Sequence, residues 1–222
     1  MRILGRTRSA RRRPAYLRML AGILVAYALI IGFGDAQVAG ITRVVLICYL
    51  LWTAMKLRDV PRWRLWTLAI SVAGLAVTVW SAAVASARVA SGVLGAVSVM
   101  LIIIVIAVIV STLIQGLQVD TATVLGVLCI YLLLALFFAS LHQLLAAFNT
   151  SYLNGAPYPP SASDLLYFSV ITITTVGYGD ITPASQAARA VAVTEALVGQ
   201  LYLVSVVAAV IGGWRATGRS QA

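Results

Sequence analysis

The sequence predicts an all-α membrane protein with six transmembrane helices and a re-entrant helix and loop between the fifth and sixth. Three observations carry this. Of 222 residues, 62% are hydrophobic and only 10% are charged, where a soluble domain of this size has about 25% charged residues. Six apolar segments approach the roughly 20 residues needed to cross a bilayer. The third observation is ITITTVGYGDITPAS at 171–185, a glycine-broken, polar stretch between two long apolar runs.

The six segments run at 16–33, 39–55, 64–84, 92–114, 123–148 and 186–214. Their separators are polar or glycine-containing: GFGDAQ, KLRDVPRWR, SARVASG and QGLQVD, then the long loop 149–185. Orientation follows from the positive-inside bias. With the N-terminus in the cytoplasm, the inner side receives Arg2, Arg6, Arg8, Arg11, Arg12, Arg13, Arg18, Lys56, Arg58, Arg62, Arg64, Arg215 and Arg219. That is 13 of the 16 basic residues, and Arg43, Arg88 and Arg189 remain outside. Both termini are therefore expected inside and loop 149–185 outside, in a plasma membrane of bacterial type. The net charge of +10 fits topology and anionic lipid at the N-terminal arginine cluster, with no nucleic acid called for. A cleaved signal peptide is the competing reading of RTRSARRRPAYLRML. The apolar run after it is long for a signal, and GDAQVAG is only a loose cleavage match.

Cys48 and Cys129 lie inside apolar runs, without disulfide or metal spacing, and read as packing residues. Gly22, Gly74, Gly92, Gly95 and Gly126 suit close helix packing. Tyr16, Trp63, Trp66 and Trp214 fit an interfacial aromatic belt.

The long loop divides into three pieces. NTSYLNGAPYPP is a polar, Pro/Gly-rich turret; its Asn149-Thr150-Ser151 matches a glycosylation sequon, a pattern that also arises by chance. SASDLLYFSVITITT reads as a short helix, with Ser161 or Ser163 as cap and Asp164 at its positive end. It is too short to span. Its β-branched end leads into extended chain, and Pro183 breaks the chain before the last span. Irregular backbone at membrane depth must be buried in protein or line water. Gly177 and Gly179 open backbone angles that let successive carbonyls face one side. Rings of such oxygens replace the water shell of a cation, and a ring requires several copies of the chain.

Thr174-Thr175-Val176-Gly177-Tyr178-Gly179-Asp180 resembles the selectivity-filter signature of tetrameric potassium channels, in the expected order of outer helix, short pore helix, filter and inner helix. The resemblance covers about residues 121–214. It implies that Thr175, Val176, Gly177 and Tyr178 supply carbonyls to K+, with Gly179 completing the strip and the Thr175 hydroxyl at the innermost site. Thr174 would face the cavity, and Tyr167 and Phe168 would form the aromatic pair bracing the filter. Gly199 stands where the family's inner helix often hinges. One departure is Ile171, where some relatives carry a glutamate bonded to the filter-end aspartate; Asp180 must then find another partner.

Six spans with the pore last also resemble voltage-gated potassium channels. That resemblance predicts a fourth span with regularly spaced arginines, because charge must move in the field. GVLGAVSVMLIIIVIAVIVSTLIQ at 92–115 has none. Residues 16–116 thus read as a voltage-sensor-like domain without gating charge, with weak or no intrinsic voltage dependence. Arg43 and Arg88, near span ends, are expected to snorkel. No soluble gating domain is expected after Trp214. The remaining divisions are a basic tail at 1–15, a pore domain at 117–216 and a short tail at 217–222.

Glu195 is the one acid well inside a span, and an intramembrane carboxylate is a functional candidate. It could line the cavity, act as a proton-sensitive gate, or bond structurally behind the pore. His142 reads as an interfacial packing residue with pH sensing as the alternative. Arg189 is expected to bond the pore-loop backbone or another subunit. The composite reading is a homotetrameric potassium-selective channel, passive, with no cofactor beyond the permeant ion. A non-selective cation channel or a regulatory channel subunit on the same scaffold is the alternative. An enzyme or transporter is disfavoured, because no paired carboxylates, nucleophile–base set, metal cluster, phosphate loop or inverted repeat is present.

Overall fold

The computed structural model describes residues 2–33, 36–57, 86–114 and 120–209, position 212, and isolated helical positions between 69 and 84. The expected third span and the end of the sixth fall largely outside the described residues, as do Trp63, Trp66 and Trp214. The helices are α1 (Arg2–Phe33), α2 (Ala36–Leu57), α3 (Ala87–Ile114), α4 (Thr121–Ala146), α5 (Ala162–Ile173) and α6 (Gln186–Tyr202). A single wide turn, Leu203–Val207, continues α6 in π-helical form.

Four stretches among the described residues are long and apolar enough to cross a membrane: Arg13–Gly32, Arg88–Ile114, Thr121–Ala146 and Gln186–Val206. The protein is a multi-pass membrane protein. Helix α2 has 22 residues, about 33 Å at 1.5 Å per residue. Helix α5 has 12 residues, about 18 Å by the same rise and well short of the hydrocarbon core.

The first fifteen residues differ from the expected tail. Helix α1 begins at Arg2 and carries Pro14 inside it. The apolar run starts near residue 16, which is the signal that set the expected boundary. Arginine is a good helix former, and the backbone keeps its helical path upstream of that run. Arg18 Nε donates to the Pro14 carbonyl at 3.0 Å, one turn back.

Buried positions on α1 (Tyr16, Met19, Ile23, Ala26, Tyr27 and Ile30) recur at three- and four-residue spacing, the signature of one helix face turned inward. They join Leu46, Ile47, Leu50 and Leu51 of α2 and Leu101, Ile102, Val105 and Ile109 of α3. The core is completed by Leu133 and Leu136 of α4 and by Leu166 and Ile173 of α5. Helices α1 and α2 thus pack on the short helix α5 as well as on each other. In lipid, such packing rests on close fit rather than on hydrophobic expulsion. Gly95 supplies that fit between α3 and α4, since a Cβ there would lie 2.7 Å from the Leu144 amide nitrogen.

Two sequence expectations about side chains are corrected here. Tyr16 is fully buried rather than interfacial, because α1 extends past it and turns it toward Gly126. Arg43 is fully buried rather than snorkelling. It lies two turns inside α2, and its Nη1 donates to Gln143 Oε1 on α4. Arg88 is exposed at the start of α3, and its Nε donates to the Ala147 carbonyl at the end of α4. Cys129 is buried and Cys48 half-buried, both free.

Candidate functional site

The short helix α5 is positioned by its own ends. Ser161 caps it, accepting from the Asp164 amide at 3.1 Å, while Asp164 Oδ2 accepts from the Ser161 amide at 3.0 Å. This reciprocal capping box satisfies two otherwise unpaired donors and puts a carboxylate at the positive end of the helix. At the other end, Ile171 sends its carbonyl to two amides at once, Val176 at 2.9 Å and Gly177 at 3.1 Å. The Tyr131 hydroxyl of α4 donates to the Ile173 carbonyl at 3.0 Å. Tyr131 in turn stacks on Tyr202, whose hydroxyl donates to the Val127 carbonyl.

The chain then reverses through residues 174–180, all exposed. Thr175, Gly177 and Gly179 take φ values of 60°, 50° and 82°. Every second residue is therefore in the left-handed region, a backbone alternation that an ordinary strand does not have and that glycine permits. No atom lies within 4 Å of where a Cβ on Gly177 or Gly179 would be, so the need for glycine there is conformational and not spatial.

The outer end of the strip is clamped by the turret. Strands β1 (Leu153–Asn154) and β2 (Thr182–Pro183) pair antiparallel, Leu153 opposite Pro183 and Asn154 opposite Thr182. The Tyr152 carbonyl accepts from the Ala184 amide at 3.0 Å. Gly155, at φ 80°, lies so close to the Asp180 carbonyl that any side chain would collide with it. Asp180 finds the partner that Ile171 cannot provide: the Tyr167 hydroxyl donates to its Oδ2 at 2.7 Å. That bond holds the Asp180 carboxyl below its ordinary value of 3.8.

The two aromatics of α5 divide their work. Tyr167 reaches Asp180, while Phe168 is buried and packs edge-on against His142 of α4, their centroids 5.1 Å apart. Thr174 closes the helix, its hydroxyl donating to the Val170 carbonyl at 2.6 Å. Arg189 Nε donates to the Pro183 carbonyl at 3.4 Å, so it bonds the backbone of the loop 149–185. Gly199 lies inside α6 against the end of α5. A Cβ there would lie 2.7 Å from the Ile173 carbonyl and would overlap the Ile173 side chain. The wide turn at Leu203–Val207 lies one helical turn further on.

Glu195 is fully buried among the described residues. It bonds Ser169 of α5 and lies 3.2 Å from His142 Nε2 of α4. The other ring nitrogen, Nδ1, is 2.7 Å from the Tyr152 hydroxyl. The sequence marks Glu195 and His142 individually, but 53 residues separate them and nothing local pairs them. Ser169 and Tyr152 carry no sequence signal of their own. Among the described residues no His/Cys/Asp/Glu cluster could hold a metal ion.

A short capped helix (α5), a strip with alternating left-handed backbone and two long flanking helices (α4 and α6) follow one another in this part of the chain. Residues 126–213 match the ion channel family. Over this part, less than half of the chain, the resemblance is to a channel domain rather than to an enzyme. Among curated proteins, two pore potassium channel c of rice (Oryza sativa subsp. japonica) is 39% identical over 54 residues, 24% of this chain and 12% of that protein. Two pore potassium channel b of the same plant is 64% identical over 31 residues, 14% of this chain and 9% of that protein. The matches thus span about a tenth of the length of these relatives. No solved structure matches the chain.

Proposed function

We propose that the chain is the subunit of a homotetrameric, potassium-selective channel that conducts passively. The observation that carries the reading is the left-handed backbone at Thr175, Gly177 and Gly179 in an otherwise unpacked strip. One chain provides one column of oxygens, and a cation shedding its water needs a ring of them. Thr175, Val176, Gly177 and Tyr178 would hold K+, Gly179 would complete the strip, and Thr174 would face the cavity. The helix α5 directs its C-terminal, negative dipole end toward that cavity. The resemblance to stretches of two proteins named as potassium channels supports the choice of ion.

The exposed apolar residues of α6 and its π-helical continuation support assembly. Val193, Leu197, Leu201 and Val204 recur at helical spacing and are each more than half exposed. In a tetramer this stripe would meet neighbouring inner helices or line the cavity. Residues 117–216 would form the pore domain and 16–116 a peripheral domain without gating charge. The arginine-rich start of α1 would lie against anionic lipid on the cytoplasmic side.

Ion flux from liposomes holding the purified protein tests this. Potassium efflux that barium blocks, with sodium excluded, is the expected result. Equal permeability to sodium and potassium overturns the selectivity.

A further inference from the structure

The buried group behind the filter has a hydrogen count that can be settled from its contacts. Ser169 Oγ is 2.6 Å from the Ala135 carbonyl oxygen of α4, and it also bonds Glu195 Oε1. Both contacts are oxygen to oxygen, and each needs one hydrogen. The serine hydroxyl has one, and the backbone carbonyl has none. An ionised Glu195 has none either, so one of the two contacts would bring lone pairs face to face in a fully buried site. Only a protonated Glu195, its hydrogen on Oε1, fills both: Glu195 donates to Ser169, and Ser169 donates to the Ala135 carbonyl.

The rest follows from that hydrogen. Oε2 is then a pure acceptor, so His142 Nε2 carries the proton and donates to it across 3.2 Å. Neutral imidazole has one donor and one acceptor, which leaves Nδ1 to accept from the Tyr152 hydroxyl at 2.7 Å. Every group is satisfied without a buried charge, as a site with His142, Ser169 and Glu195 all fully buried demands. The bonds run from the turret (Tyr152) through α4 (His142) and α6 (Glu195) to α5 (Ser169), and end on α4 (Ala135).

We propose that Glu195 is a positioning residue for the selectivity filter, held as a neutral carboxylic acid that ties inner helix, outer helix and turret to the pore helix. This rests on the channel reading above. At the position where some potassium channels place a pore-helix glutamate this chain has Ile171, and the carboxyl group behind the filter comes instead from α6, reaching the pore helix through Ser169.

Infrared difference spectroscopy on the purified full-length protein in liposomes, wild type minus Glu195→Gln, reads the proton directly. A protonated-carboxyl C=O band assigned to Glu195, shifted in Ser169→Ala, is expected. Ionised-carboxylate bands in its place overturn the assignment. Flux from the same liposomes reads the positioning. Glutamine keeps one donor toward Ser169 and one acceptor toward His142, so Glu195→Gln retains wild-type selectivity. Glu195→Val and Ser169→Ala each break the Glu195–Ser169 bond and raise sodium permeability relative to potassium about tenfold, the free-energy equivalent of one buried hydrogen bond. If Glu195→Val does not fold, Ser169→Ala decides. Wild-type selectivity in Ser169→Ala, or loss of selectivity in Glu195→Gln, overturns the positioning role. A wild type that fails to conduct refutes the channel reading instead and leaves the infrared result standing.

Discussion

Thr175 is the residue whose conformation the sequence conceals. Glycines at 177 and 179 announce a left-handed backbone, but a β-branched threonine at φ 60° is unfavourable by about 1–3 kcal/mol and only the folded strip imposes it. The three left-handed residues form one alternating set, which makes the glycines testable as backbone. Gly177→Ala meets no atom in the chain, so its cost is conformational, about 1–2 kcal/mol, and falls on the carbonyl arrangement. Potassium flux is expected to vanish while the melting temperature moves little; wild-type flux from the alanine variant would contradict the carbonyl-ring reading. Asp180 is the second case. Its partner, Tyr167, stands thirteen positions earlier and on a helix, so no local pattern connects them. The bond depresses the Asp180 pKa, so its contribution is complete above 3.8 and is lost as pH falls through the lower folded value. Tyr167→Phe should raise the Asp180 titration toward 3.8, measured by NMR on a carboxyl-labelled sample. An unchanged titration would mean that the hydroxyl does not hold the carboxylate.

Elements were legible where their signals are local. Ser161 or Ser163 ahead of Asp164 marks the start of α5 in the sequence, and the run to Thr175 is too short to span; the structure places the cap at Ser161. The ends of α3 and α4 follow their apolar runs. What was not legible is how closely the elements approach. Gly199 can be read as a hinge from the sequence, yet it faces the Ile173 carbonyl at a distance that leaves no room for a methyl group. The irregularity in this helix is the π-helical turn Leu203–Val207, the kind of feature that kinks helices. Gly199→Ala is therefore expected to force α6 off the end of α5, destabilising the protein by about 1–3 kcal/mol as overpacking does. Thermal unfolding in detergent measures it. Ile173→Ala should relieve only part of the loss, because the carbonyl stays in place. A neutral Gly199→Ala would return the residue to a purely flexible role.

At the scale of the whole molecule, the question is whether charge moves in the field. Helix α3, the fourth span of the sequence reading, is 28 residues long and carries its one arginine, Arg88, at its first turn, tied to the end of α4. The buried cation among the described residues is Arg43, and the sequence misplaced it at a span end because burial depends on packing between helices rather than on position along one. Its Nη1 is bound to Gln143, while its Nε and Nη2 have no hydrogen-bond partner among the described residues. A sensor arginine must travel, and each elementary charge carried across 100 mV is worth about 2.3 kcal/mol. Arg43 cannot travel without leaving Gln143 on α4, a helix that is itself packed against α1, α3, α5 and α6. Helices α1 and α2 also pack directly on the short helix α5, a contact that a freely moving sensor would have to break. A shallow conductance–voltage relation in planar bilayers is expected, with less than about one elementary charge per subunit by that energy scale. Arg43→Met should leave the slope unchanged, whatever it does to stability. A steep curve carrying several charges per subunit, or a slope that disappears in Arg43→Met, would show that charge moves where the packing says it is fixed.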